Sequence, residues 1–228
     1  MSEVWMRERP SPRRSAPSVD QIVARAVAIA DAEGGAAVTM RRVAAELQSG
    51  TASLYRYVTN RDELVDLMID AVQGESPPPT RTGDWRVDLT AIAHRLRDLW
   101  LRHPWLSSEL TGRPPLGPES LRHADAALEV ALTLTSDVTR ASNAIATVRS
   151  YVFGSVAAEL AELQARRRTG LTEEQWQASV APYVNQLIES GAYPSLARRI
   201  QDGDETPPAR QFELGLTWVL DGIGLHHA

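Results

Sequence analysis

Between Thr39 and Val58 the chain reads TMRRVAAELQSGTASLYRYV, two short helical patterns joined by the turn Gln48-Ser49-Gly50. This is the form of a helix-turn-helix, and it commits this part of the chain to a small helical core. Thr39 is a good N-cap for the first pattern, which sets Val43, Ala44 and Leu47 on one apolar face. Thr51 is expected to cap the second, which buries Leu54 and Val58 and leaves Thr51, Ala52, Ser53, Tyr55, Arg56 and Tyr57 around its remaining surface.

The chemistry of that surface suits a duplex. Arg41 and Arg42 lie in the first turn of a helix, an end that favours anions, so a phosphate outside the protein would complete the arrangement. Thr51, Ala52 and Ser53 allow close approach to a base edge, Arg56 can fork onto guanine, and tyrosine hydroxyls can reach phosphate oxygens. The plainer alternative is a surface helix with solvated arginines and two tyrosines packed on neighbours.

The flanking sequence extends the pattern. Ser18 and Gln21 have capping-box spacing, and Ile22, Ala26, Ile29 and Ala30 form one apolar stripe that ends near Gly34. Asn60 with Glu63 repeats the cap-and-acid spacing ahead of Leu64, Leu67, Met68 and Ala71. Three helices around a small core, with a fourth leading away, are predicted.

RVAAEL, TASLYRYV and NRDELVDLM together resemble the tetracycline-repressor-like family of transcriptional regulators. The likeness spans the chain, because WRVDL (85–89), RHPWL (102–106), GRPPLGPESL (112–121) and FELGLTWVLDGI (212–223) resemble that family's tetracycline-repressor-type C-terminal domain. It implies an all-α fold: an N-terminal three-helix DNA-binding domain and a larger C-terminal helical domain for ligand binding and dimerisation. It further implies DNA contacts from Arg41, Thr51, Ala52, Ser53, Tyr55, Arg56, Tyr57 and Arg61, to which the first-turn position of Arg42 adds that residue, with Met40 at a position often polar in the family. One departure stands out. The family usually has Gly and then a small apolar residue in the turn, where this chain has Gln48 and Ser49, and a left-handed backbone is harder for Gln by about 1 kcal/mol.

Charge agrees with this layout once it is divided. The net charge of −5 conceals nine Arg against six acids in residues 1–61, and fifteen against twenty-three in residues 62–228. A basic reader and an acidic body would orient the protein on approach to a duplex. The 228 residues are 43% apolar, enough for a real core; there is no cysteine and hence no disulfide, and no apolar run is long enough to span a bilayer. A cytoplasmic location is expected.

Four segments are predicted. Residues 1–18 are a flexible N-terminal arm, either a solvated tail or, through Arg7, Arg9, Arg13 and Arg14, a minor-groove arm. Residues 19–72 carry the DNA-binding domain and connecting helix, residues 73–83 are a loop broken by three prolines, and residues 84–228 form the ligand-binding and dimerisation domain. Helix starts are marked at Asp84, Pro118, Ser136-Asp137, Thr172 with Gln175, and Pro207-Pro208.

The final helix is apolar around most of its circumference and needs neighbours on several sides; the alternative is burial within one chain. The resemblance implies that it and the helix over about 139–167 form a four-helix bundle with a second copy. Gly154, Ala157, Ala158, Leu214 and Trp218 are the candidate interface, and a palindromic double-stranded operator is the expected partner. Trp100, His103, Trp105, Leu110 and Arg113, with Asn143, Tyr151 and Trp176, are candidate contacts for a small, largely apolar effector, though each also suits a core position. SSELTG precedes Arg113 where tetracycline-binding members place a metal-binding histidine, and Ile92 stands where they use asparagine, which argues against magnesium-tetracycline. His94 and Asp98 share a helix face without a third ligand, and neither a nucleophile nor a phosphate loop is present. No catalysis, metal or cofactor is predicted. The rival to a ligand-responsive repressor is a ligand-binding or protein-interaction dimer whose reader, through the Gln48-Ser49 turn, no longer recognises DNA.

Overall fold

The computed structural model describes residues 3–6, 17–109 and 114–225, and the side chain of Arg167 is not described. Among them the chain is helical throughout, without strands. The elements are α1 (Val19–Glu33), α2 (Met40–Glu46), α3 (Thr51–Leu54), α4 (Arg61–Gln73), α5 (Trp85–Arg102), α6 (Leu106–Glu109), α7 (Pro118–Leu134), α8 (Val138–Thr169), α9 (Glu173–Glu189), α10 (Pro194–Asp202) and α11 (Pro208–Leu225).

Local chemistry sets the helix boundaries. Ser18 and Gln21 form a capping box on α1, as Thr172 and Gln175 do on α9. Thr39, Asn60, Asp84 and Asp137 cap α2, α4, α5 and α8 by accepting backbone N–H groups. Gly34 ends α1 at φ 90° and Gly170 ends α8 in the left-handed conformation. The cap of α3 differs from expectation: Gly50 takes the N-cap place and Thr51 is the first helical residue.

α1, α2, α3 and the start of α4 close over Ile22, Ala26, Ile29, Val43, Leu54, Val58, Leu64 and Met68. Burying this set is what stabilises so short a helix pair, since a helix as short as α3 is marginal alone. In the larger part α8 is central: α5, α7 and α11 all pack against it. Val148, Val152 and Val156 of α8 are buried with Phe212, Leu216 and Leu220 of α11. α4 packs on both α1 and α7, so its buried residues join the reader and the body in one continuous core.

Two expectations about extent change. The first 18 residues are not wholly a free arm, because Val4 is buried and Trp5 packs between α1 and α4. Arg7, Arg9, Arg13 and Arg14 lie outside the described residues, as do Leu110, Arg113, His226 and His227. Ala71, expected on the buried stripe of α4, is exposed. α10 was not predicted; its start is marked by Pro194 in its first turn.

Candidate nucleic-acid interface

The turn between α2 and α3 forms despite lacking glycine at its critical position. Gln48 takes φ 49°; its N–H bonds to the carbonyl of Ala45 (3.1 Å), and that of Ser49 to the carbonyl of Ala44 (2.9 Å). These are the paired bonds of a Schellman motif, with Gln in the left-handed place that glycine usually fills. The backbone geometry is therefore regular, at a cost of about 1 kcal/mol.

The turn presents α3 with Ala52, Tyr55 and Arg56 exposed and Thr51 half-buried. Arg41, at the start of α2, is also exposed, and no carboxylate among the described residues pairs with it. The Ser53 hydroxyl is half-buried and donates to the Gly50 carbonyl (2.6 Å), which braces the turn. A patch of two cations, a phenol and small side chains remains, the composition that reads a groove and grips phosphates.

Three predicted contacts are corrected. Arg42 is spent inside the protein: its guanidinium pairs with Glu46 one turn on and with Glu33 of α1 at 2.8 Å. Its charge at the helix start is thus balanced by the protein's own carboxylates rather than left for a phosphate. Tyr57 is only 5% exposed, with its hydroxyl buried and without a partner among the described residues. The cause is the early end of α3 at Leu54: the chain tightens there, with the Tyr57 N–H on the Leu54 carbonyl, and swings the ring inward. Arg61 is half-buried and anchored, donating to the carbonyls of Val38 (3.1 Å) and Gly35 (2.9 Å) and to both oxygens of Glu109 (2.6 and 3.2 Å). That forked pair ties the start of α4 to α6.

Polar ties also fasten the reader to the body at the other end of the interface. Buried His103, just after α5, meets Asp31 of α1 through Nδ1 (2.7 Å) and Glu75 through Nε2 (3.1 Å). Trp105 is also buried and donates its indole N–H to the same Asp31 oxygen at 2.8 Å. Both were expected as effector contacts; instead they hold α1 against the body, and their polar groups are occupied.

The remaining effector candidates do not converge. Trp100 is buried between α5 and α8, edge-on to Phe153, with its indole N–H unpartnered among the described residues. Tyr151 donates to the Phe212 carbonyl (2.8 Å) and fastens α8 to α11 at Gly215, where a Cβ would stand 2.3 Å from its hydroxyl. Asn143 is exposed on a shallow groove between α8 and α11, and Trp176 is exposed on α9. What these positions missed is Arg95 on α5, which faces a small cavity bounded by α5, α7 and the proline loop. Its i+4 spacing from Ala91 and Leu99 carried no sign of this in the sequence.

The outer face of α8 and α11 is open. Trp218 is 70% exposed and Leu214 41%, with Phe153, Gly154 and Ala158 also exposed and Ala157 half-buried. Nothing lies within 4 Å of a Cβ built on Gly154. Exposed apolar residues on two neighbouring helices give this face the composition that association surfaces use.

A profile described as "Tetracyclin repressor-like, C-terminal domain" matches residues 77–226. The HTH-type transcriptional repressor DrrR1 of Streptomyces coeruleorubidus is 41% identical over 209 residues, covering 90% of this chain and 77% of that one. An HTH-type transcriptional regulator of Saccharopolyspora erythraea is 38% identical over 161 residues, 68% of this chain and 67% of that one. The crystal structure of the Streptomyces coelicolor TetR family protein ActR in complex with actinorhodin superposes with a TM-score of 0.77 at 29% identity, over 93% of this chain and 100% of that one.

Proposed function

Because the chain belongs to the tetracycline-repressor family of transcriptional regulators, we propose that it is a homodimeric repressor that holds a palindromic operator and leaves it when a small effector binds. The observation that carries this reading is the outward patch of Arg41, Ala52, Tyr55 and Arg56 on a properly turned helix pair. Two copies related by a two-fold axis through α8 and α11 would present two such patches about 34 Å apart, one turn of duplex. Trp218 and Leu214 then bury against the partner copy.

Release requires an effector that binds better to a second arrangement of the reader heads. The contacts that such a change would rework are Arg61 with Glu109 and Asp31 with His103 and Trp105, since these span the two parts. That ActR is seen with actinorhodin supports a small organic effector here as well. The chain is read as non-catalytic. Among the described residues no helix is long and apolar enough to cross a membrane, and a cytoplasmic site of action follows from the DNA-binding role.

The rival reading, a dimer with a reader unable to recognise DNA, rested on the Gln48-Ser49 turn, and the regular bonds at that turn remove its motive. Selection from random duplexes tests the proposal. Enrichment of a palindrome with half-sites one turn apart supports it, and recovery of no common sequence refutes it.

A further inference from the structure

Arg95, in the body, is paired with no carboxylate among the described residues. Its Nη2 donates to the side-chain oxygen of Gln73 at 2.9 Å, while Nε and Nη1 are buried and have no partner among the described residues. Arg95 borders a cavity of about 20 Å³, walled also by Ile92, Val130, Pro78 and Pro79. Asp88 also lines it but spends its oxygens on the backbone N–H and hydroxyl of Thr82 and on the N–H of Gly83. His123, the other polar wall, contacts the carbonyls of Gln73 and Ser76 through Nε2, which must therefore carry the proton.

A guanidinium left like this is costly, because a buried charge is tolerated only when paired. Burial pushes Arg95 down to about 10, so it stays charged at neutral pH. Arg61, by contrast, lies on a carboxylate. The cavity holds about one water-sized group, and apart from Arg95, Asp88 and His123 its walls are apolar: Ile92, Ala126, Val130, Pro78 and Pro79.

We propose that the cavity beside Arg95 anchors the effector and that the effector is an organic acid, whose oxyanion takes the Nε and Nη2 edge of the guanidinium in place of the Gln73 oxygen, while its apolar body lies between Ile92, Val130 and the Pro78–Pro79 segment. This rests on the reading of the chain as an effector-released regulator. The body enters by displacing the proline segment from α7. An oxyanion on Arg95 competes with the Gln73 side chain, and Gln73 is the last residue of α4, the helix that begins at Arg61 in the reader. The anion site is thus one side chain away from the element that carries the DNA-binding helices.

The test is calorimetric titration of the full-length protein with salicylate, 2-naphthoate and anthraquinone-2-carboxylate, each beside its methyl ester. At least one acid is expected to bind at least tenfold tighter than its ester, as a charge-assisted fork requires. Arg95→Met is expected to lose that preference while melting no lower than the parent, because it removes an unpaired buried charge; Arg95→Lys retains part of it. The proposal is overturned if every acid binds no better than its ester, if none binds, or if Arg95→Met keeps the preference. Footprints of the selected operator are read on the same samples. A protein that footprints but shows no acid preference overturns the anion site alone. One that prefers the acid yet footprints nothing overturns the regulator reading and leaves the anion site in place.

Discussion

The carboxylate of Asp70, on α4, accepts the backbone N–H of Ser120 at the start of α7, at 2.8 Å. It works as a helix cap supplied from fifty residues away, fitting an anion to the positive end of α7 and pinning the reader-bearing helix to the body. Gly117, the N-cap of α7, makes this possible: a Cβ there would stand 2.1 Å from the Asp70 oxygen.

Gly117→Ala is therefore expected to push α4 away from α7 and to destabilise the protein by about 1–3 kcal/mol, as overpacking does. Denaturant unfolding measures it. A change within error would mean that the Asp70 contact is looser than its geometry.

Gln48→Gly should do the opposite. It removes the left-handed strain at the turn and is expected to raise stability by about 1 kcal/mol with operator affinity unchanged. An unfolding titration that shows destabilisation would indicate that the Gln48 side chain contributes something its backbone does not reveal.

His123 makes stability depend on pH. Burial first, and then the charge of Arg95, hold its imidazole below the ordinary value of 6.5, against the two backbone carbonyls that raise it. The unfolded chain thus takes up this proton before the folded one does. The stabilisation is fully present above that ordinary value and is lost as the pH falls through the lower folded value. The melting temperature should drop between about pH 7 and pH 5, and by less in His123→Gln; equal drops in both would contradict this assignment.

Trp218→Arg should yield monomers in a sedimentation experiment, since it places a charge at the centre of the open face of α11. Unchanged dimers would move the interface elsewhere.

Much of the fold was legible because it is written locally. Ser18 with Gln21, Thr172 with Gln175, and Asp84 and Asp137 ahead of apolar stripes each act within a few residues of themselves. At the candidate site, Arg41 and Arg56 stand exposed where their place in the helix pattern put them. Arg61 and His103 were misjudged because their partners, Glu109 and Asp31, lie 48 and 72 residues away, and periodicity gives a side chain's face but not what meets it there. Tyr57 failed for a different reason: α3 ends at Leu54, and the turn after it leaves Tyr55 and Arg56 outside as expected but takes Tyr57 inward. Arg95 was invisible for the same reason as Arg61: its contact, Gln73, lies 22 residues away.

The central claim is that Arg41 and Arg56 face DNA while Arg42, next to Arg41 in the chain and equal to it in charge, faces the protein. Binding of the selected operator by wild type, Arg41→Ala, Arg56→Ala and Arg42→Ala, each across a range of salt, tests it most directly. The account predicts that Arg41→Ala and Arg56→Ala lose at least tenfold in affinity, with any phosphate contact also lowering the salt slope by about 1 per reader head, and with melting temperatures unchanged. Arg42→Ala should instead lower the melting temperature and leave the salt slope as it was. If Arg42→Ala alone lowered the slope, or if none of the three weakened binding, the interface drawn here would be wrong.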